Sequence, residues 1–232
     1  MTDLTDAIVL VTGANGGLGA EFVQQALDRG AAKVYATARN PRTWDDERIV
    51  PLTLDVTSQA SVDAAARTAA DATVVVNNAG VGGSTPLLET SVEDVERVFA
   101  TNVFGALRVA KAFAPTLAGG ALVDVHSVLS WIALGNGYSA SKAAFWSLTN
   151  SLRLELAPQG TQVVGAHLGY TDTGMTADLD VEKADPAVIV AAIWDAVEAG
   201  EHEVLADQIS RDVRAGLSAP LVALYPGLAA AV

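Results

Sequence analysis

The sequence predicts an α/β fold, a mostly parallel sheet covered by helices on both faces. Three observations carry this. Apolar, β-branched runs of strand length recur along the chain, and helical patterns fill most of the gaps, which is the alternation of βαβ units. The first such run opens directly into a glycine-rich turn and then a helix. Finally, 232 residues of which 50% are hydrophobic suffice to bury one large core, so one domain is expected over 1–232, with no internal repeat, low-complexity tract or linker.

The first strand is Ile8-Val9-Leu10-Val11, followed by Thr12-Gly13-Ala14-Asn15-Gly16-Gly17-Leu18-Gly19 and by Phe22, Val23, Ala26 and Leu27 at helical spacing. Glycines permit a tight turn and close backbone approach. The free N–H groups of a helix start point at whatever anion lies above them, most often a dinucleotide pyrophosphate. Further strands are expected at 33–38, 49–54, 73–76, 120–127, 161–168 and 202–206. The second ends in Ala38-Arg39, where a dinucleotide site that prefers the 2′-hydroxyl of NAD usually has an acid. An arginine there accepts a 2′-phosphate, so NADP(H) is favoured over NAD(H); the bland reading of Arg39 is a solvated surface cation.

After the third strand comes Asp55-Val56, with Thr57 and Ser58 as well suited as Asp55 to cap the next helix. The fourth ends in Asn77-Asn78-Ala79-Gly80, and the fifth in Ser127. Ligands of open α/β sheets bind beyond the carboxyl ends of the strands, which places the Ser127 hydroxyl to donate to a substrate oxygen or else to cap the strand end. Ser130 is the fallback. Tyr138 and Lys142 follow, four residues apart and so on one helix face, where a neighbouring cation lowers a phenol pKa toward working pH. His126 reads as a packed or surface histidine. Trp131, Ile132, Leu134 and Trp146 suggest an apolar pocket, although Trp146 suits core or a subunit contact equally. The polar stretch 170–185, ending at Pro186, reads as a short substrate lid or a connection.

Composition excludes several classes. A formal charge of −13 and a pI near 4.4 disfavour nucleic acid and anionic lipid as partners. Zero cysteines leave neither a disulfide scaffold nor a thiolate site, and no metal site is indicated. No apolar run reaches membrane-spanning length and no signal-peptide pattern opens the chain, so a cytoplasmic protein is expected.

With TGANGGLG at the start, Asn77-Asn78-Ala79-Gly80 after a strand, Asn102 in a helix, Ser127 at a strand end and Tyr138-Ser139-Ala140-Ser141-Lys142 beyond, the chain resembles the short-chain dehydrogenase/reductase family over nearly its whole length. The resemblance implies a Rossmann-type doubly wound parallel sheet and hydride transfer between a nicotinamide cofactor and a ketone or secondary alcohol. Tyr138 would be the proton donor, Ser127 would polarise the substrate oxygen, and Lys142 would bind the nicotinamide ribose. Asn102 would extend a proton relay to Lys142 through a water. Cofactor contacts are implied for Gly13, Asn15, Gly17, Leu18, Gly19, Asp55 and Val56 at the adenine, Asn78, Ala79, Gly80, Gly169, Thr171 and Thr173, the last at the carboxamide.

The chain departs from the family in four places. Asn15 stands where many NADP-binding relatives carry a second cation. Ser127 and Tyr138 are eleven residues apart rather than about thirteen. Leu168 replaces a proline, so the loop after it is expected to be less rigid. The stretch 170–185 is short for the family's substrate-binding loop, which implies an open pocket. A small-to-medium hydrophobic substrate and a homodimer or homotetramer are expected, with Leu217 to Val232 either crossing a subunit interface or covering its own sheet. The competing class is an NADP(H) sensor without turnover, against which the joint presence of Ser127, Tyr138, Lys142 and Asn102 speaks.

Overall fold

The computed structural model describes residues 2–83, 85–134 and 136–231. The strands are β1 (Ile8–Thr12), β2 (Lys33–Ala38), β3 (Ile49–Thr53), β4 (Val74–Asn77), β5 (Ala121–Val125), β6 (Gln162–His167) and β7 (Glu203–Leu205). All pair in parallel, in the order β3-β2-β1-β4-β5-β6-β7. The expected Rossmann-type doubly wound sheet is therefore what the chain forms, its order reversing between β1 and β4.

The helices are α1 (Gly17–Asp28), α2 (Gln59–Thr68), α3 (Val92–Phe99), α4 (Ala106–Phe113), α5 (Gly137–Leu156), α6 (Pro186–Ala199), α7 (Gln208–Gly216) and the short α8 (Leu221–Leu224). Strand alternation sends side chains to two cores. Val9, Val11, Val76 and Val123 pack with Phe22, Val23 and Trp194 of α1 and α6, where Phe22 meets Trp194 edge-on at 5.3 Å. Leu10, Val75, Leu122 and Val163 pack with Val62, Val109, Phe113 and Leu152 of α2, α4 and α5. Both faces are covered, which is why the strands read as unbroken apolar runs. No helix among the described residues is long and apolar enough to cross a membrane.

Two segments differ from the sequence reading. Strand β5 stops at Val125, so Ser127 lies two residues beyond it as the cap of a single tight turn, Val128–Ser130. Residues Ala100–Gly105, between α3 and α4, form a π-helical turn rather than continuing an α-helix.

Candidate active site

The carboxyl ends of β1 and β4 are sewn together by side chains. Thr12 Oγ1 accepts the N–H groups of Asn78 and Ala79, each at 2.9 Å, and donates to Val76 O at 3.1 Å. Asn78 Nδ2 donates to Thr12 O (2.9 Å) and Gly13 O (3.3 Å). Thr12 was not among the residues singled out from sequence, although a hydroxyl closing an apolar run was the available signal. Gly17 opens α1 at φ +52°, a left-handed conformation that favours glycine. A side chain there would also meet Thr173 Cγ2 at 3.1 Å, so the glycine loop abuts the loop after β6. Leu18 is partly buried against the α1–α6 core.

At the other end of the cradle, Ala14 N donates to Thr37 O at 2.9 Å. Asn15 clasps the loop after β2: its Nδ2 donates to Asn40 O (2.8 Å) and its Oδ1 accepts from Arg42 N (3.1 Å). Where a second cation was missed at Asn15, the structure has a clamp on the loop that carries both Arg39 and Arg42. The Arg42 guanidinium lies over the Trp44 ring, 3.7 Å from its centroid, which fixes it further. Asp55 Oδ1 accepts from Thr57 N and Oγ1, which hold its carboxyl below the ordinary range, and the Arg39 charge acts in the same direction. Ser58, not Asp55, caps α2. Val56 is buried beside Asp55.

Asn102 is 2% exposed inside the π-helical turn. Its Oδ1 accepts from Val81 N (2.8 Å), and its Nδ2 donates to Val81 O and to Ser141 Oγ, each at 3.0 Å. The side chain thus fastens the segment after Gly80 to α5. Ser127 Oγ accepts from Leu129 N (3.2 Å), while Ser130 is buried with its hydroxyl turned to Ser127 N. The Ser127 hydroxyl is the one beside Tyr138, as the sequence register favoured over Ser130.

The electrostatics correct one expectation. Tyr138 is not activated by Lys142: burial pushes its phenol up to about 12, and only the Ser127 hydroxyl pulls the other way. Lys142 Nζ donates to Val125 O at 2.8 Å and sits 5.7 Å from the Tyr138 ring centroid. Burial pushes the ammonium itself down to about 8. Helical spacing brought the two together, but desolvation dominates the shift of each in the free protein.

A hollow of about 450 Å³ opens at Tyr138. Val81, Val95 and Val98 give it apolar surface; Glu89, Asp94 and Arg97 give it charge. The expected apolar lining is thus only half present. Trp131 does not line it, because the ring stacks on buried His167 at 3.9 Å, with Trp146 edge-on to Trp131 at 6.3 Å. His126 is buried, packed edge-on against Phe145 at 4.6 Å. The stretch 170–185 is tied at its base by Asp172 N to Ala184 O (2.9 Å) and Ala184 N to Tyr170 O (2.8 Å). Ahead of it, where Leu168 replaces proline, Gly169 N donates to Asp207 Oδ2 at 2.6 Å. From the far end of the chain, Tyr225 Oη accepts from Ala133 N at 3.0 Å, so the C-terminal segment packs on its own chain's loop before Tyr138; Val232 lies outside the described residues.

The residues present fit a nicotinamide dinucleotide. A Cβ on Gly19 would fall 2.2 Å from Gly13 O, so the helix start closes on the loop at a distance only glycine allows. Arg39 and Arg42 lie on the loop after β2. At the opposite end, Thr171 Oγ1 is buried without a partner among the described residues, beside Thr173. Residues 7–184 match the family model described as short chain dehydrogenase. The chain is 37% identical over 182 residues to a short-chain dehydrogenase of Talaromyces islandicus, covering 71% of this chain and 63% of that one. It is 35% identical over 181 residues to an NADPH-dependent 1-acyldihydroxyacetone phosphate reductase of Schizosaccharomyces pombe, covering 72% and 61%. The chain thus spans less than two thirds of either relative. A crystal structure of a short chain dehydrogenase from Burkholderia cenocepacia in complex with NADP superimposes with a TM-score of 0.92 at 36% identity, covering 98% of this chain and 99% of that one.

Proposed function

Given that the chain belongs to the short-chain dehydrogenase family and is an NAD(P)-dependent oxidoreductase, we propose that it is a carbonyl reductase, or in reverse an alcohol dehydrogenase, that prefers NADP(H) and takes a ketone or secondary alcohol of small-to-medium size. The observation that carries this is the meeting of Ser127, Tyr138 and buried Lys142, with a hollow opening at Tyr138.

The bound cofactor supplies hydride. The chain supplies position, a proton and a field. Ser127 donates to the substrate oxygen, Tyr138 delivers the proton to it, and a phenol that keeps its proton in the free protein is suited to the reducing direction. Lys142 holds the cofactor ribose, and Asn102 keeps the π-helical turn and α5 in register so that the relay to Lys142 stays intact. The preference for NADP(H) is supported by Arg39 and Arg42, two guanidinium groups on a loop that Asn15 clamps, with no acid at the end of β2. Val81, Val95 and Val98 suit the hydrocarbon part of the substrate. A homodimer or homotetramer through the helices bearing Asn102 and Tyr138 belongs to the same reading.

The test is NADPH consumption against a panel of prochiral ketones, with NADH in parallel. Turnover that is faster with NADPH and lost in Tyr138→Phe supports the proposal. Tight NADPH binding without turnover on any ketone or alcohol, unchanged in Tyr138→Phe, overturns it in favour of a nucleotide sensor.

A further inference from the structure

Strand β5 carries a carboxylate into the dry interior. Asp124 has no exposed surface. Its Oδ1 accepts from Asn77 Nδ2 at 2.9 Å and its Oδ2 from Thr149 Oγ1 at 2.7 Å. Among the described residues no ion pair within 4.0 Å includes it. A buried carboxylate without a paired cation is costly, and two neutral donors offset only part of that cost.

Its surroundings say what it serves. Asn77 also donates to Ala106 O at 3.2 Å, the first residue after the π-helical turn that holds Asn102. Thr149 shares a face of α5 with Lys142, at a spacing of two turns, and both are buried. Lys142 Nζ in turn donates to the carbonyl of Val125, the residue next to Asp124. The carboxylate therefore sits where the segments bearing Asn102, Ser127, Tyr138 and Lys142 converge.

We propose that Asp124 is a positioning residue of the reaction, the internal counter-charge that keeps Lys142 an ammonium in a site otherwise hostile to charge. The proposal rests on the cofactor-binding role given to Lys142 above. Burial pushes Lys142 down to about 8, and the Asp124 charge is what opposes it. Burial pushes Asp124 up to about 6, against the bonds from Thr149 and Asn77 and the charges of Arg153 and Lys142. Both are ionised between those values, a window that includes neutral pH. Among the described residues no other group supplies a negative charge to Lys142. Tyr138 on α5 keeps its proton, His126 just after β5 and His167 on β6 are held neutral by burial, and Arg153 on α5 adds positive charge.

Asp124→Asn tests this with little change of shape. The amide oxygen can still accept from Asn77, and the amide nitrogen can donate to Thr149 Oγ1, whose own proton has Phe145 O at 3.0 Å. The measurement is the NADPH dissociation constant, by fluorescence titration from pH 6 to pH 10. Wild type should lose affinity above about pH 8. Asp124→Asn should match it near pH 6 but begin to lose affinity about one pH unit lower, the small end of the effect of a nearby opposite charge. Lys142→Met should bind weakly with no such dependence. Superimposable wild-type and Asp124→Asn profiles, or a loss equal at every pH, overturn the proposal.

A second readout needs no cofactor. At pH 7, thermal unfolding of Asp124→Asn, Lys142→Met and the double variant should be non-additive, whereas additive shifts overturn the pairing. If NADPH fails to bind wild type, the oxidoreductase reading falls while this cycle still decides the role of Asp124. Should Asp124→Asn not fold, Thr149→Val takes its place in both measurements. It removes one hydroxyl donor, raises the carboxyl pKa and should move the loss of affinity in the same acid direction.

Discussion

Adding a single methyl group at Gly19 tests the cradle directly. The Cβ of Gly19→Ala would stand 2.2 Å from Gly13 O, 2.8 Å from Asn78 Nδ2 and 2.9 Å from Gly13 C, where real Cβ contacts essentially never fall below 3.0 Å. At least 0.8 Å must be found between the start of α1 and the loop it closes on, and the obstacle is backbone, which cannot rotate away. Two Asn78 amide bonds, to Thr12 O and Gly13 O, lie in the path of that movement. Overpacking of this kind costs about 1–3 kcal/mol and each weakened bond about 1 kcal/mol, so a loss near 3 kcal/mol is expected. For a domain of this size that lowers Tm by about 6–12 °C. Displaced helix amides should also weaken NADPH binding by about tenfold or more, the loss of one charge-assisted bond. Differential scanning calorimetry and fluorescence titration measure the two effects. Gly216→Ala makes the same chemical change with nothing within 4 Å and should melt within about 3 °C of the parent. A Gly19→Ala protein that melts as high as Gly216→Ala would refute the close-approach argument.

Tyr138→Phe should lower turnover by about 100-fold or more, a general acid's share, while the NADPH dissociation constant stays close to wild type; initial rates and titration check the two halves. Arg39→Ala should reduce the preference for NADPH over NADH by about 10- to 100-fold, the worth of one charge-assisted bond, read from the ratio of the two dissociation constants. Asn15→Ala should move that ratio the same way but less, because it frees the loop rather than removing a charge. Without nucleotide, Lys142 makes stability rise with pH. Its folded pKa of about 8 lies below the unfolded 10.5, so between these values the unfolded chain binds more protons. The gain between pH 8 and pH 10 should be about 2 kcal/mol and disappear in Lys142→Met, as chemical denaturation at those two pH values would show.

Strand positions were legible because a sheet covered on both faces leaves apolar runs with little interruption; 33–38 matches β2 and 49–54 overruns β3 by one residue. The glycine loop was legible because its chemistry is local. What local sequence could not supply was partnership across the fold. Asn15 reads as an absent cation until Asn40 and Arg42, 25 and 27 residues away, are seen to be its partners. Asn102, inside the π-helical turn, bonds to Val81 and Ser141, partners that no helical periodicity encodes. The Tyr138–Lys142 spacing was read correctly as proximity, but solvation decides which way each pKa moves, and burial is a property of the assembled sheet. Asp124 passed unnoticed inside an apolar run for the same reason.

The stitch between Thr12 and Asn78 has a kinetic meaning. It joins residues 66 apart across the one place where the sheet changes direction. The glycine loop can curl locally as soon as β1 and α1 form, yet its carbonyls are held only once β4 docks alongside. Closing so long a stretch of chain is slow and entropically uphill until the strands meet. A half-folded chain therefore has glycines but no cradle. Nucleotide at a hundred times its dissociation constant would add about 2.7 kcal/mol to the finished sheet and nothing to its precursors. In refolding, the cofactor should act less as a template than as a latch that slows the unzipping of β1 from β4.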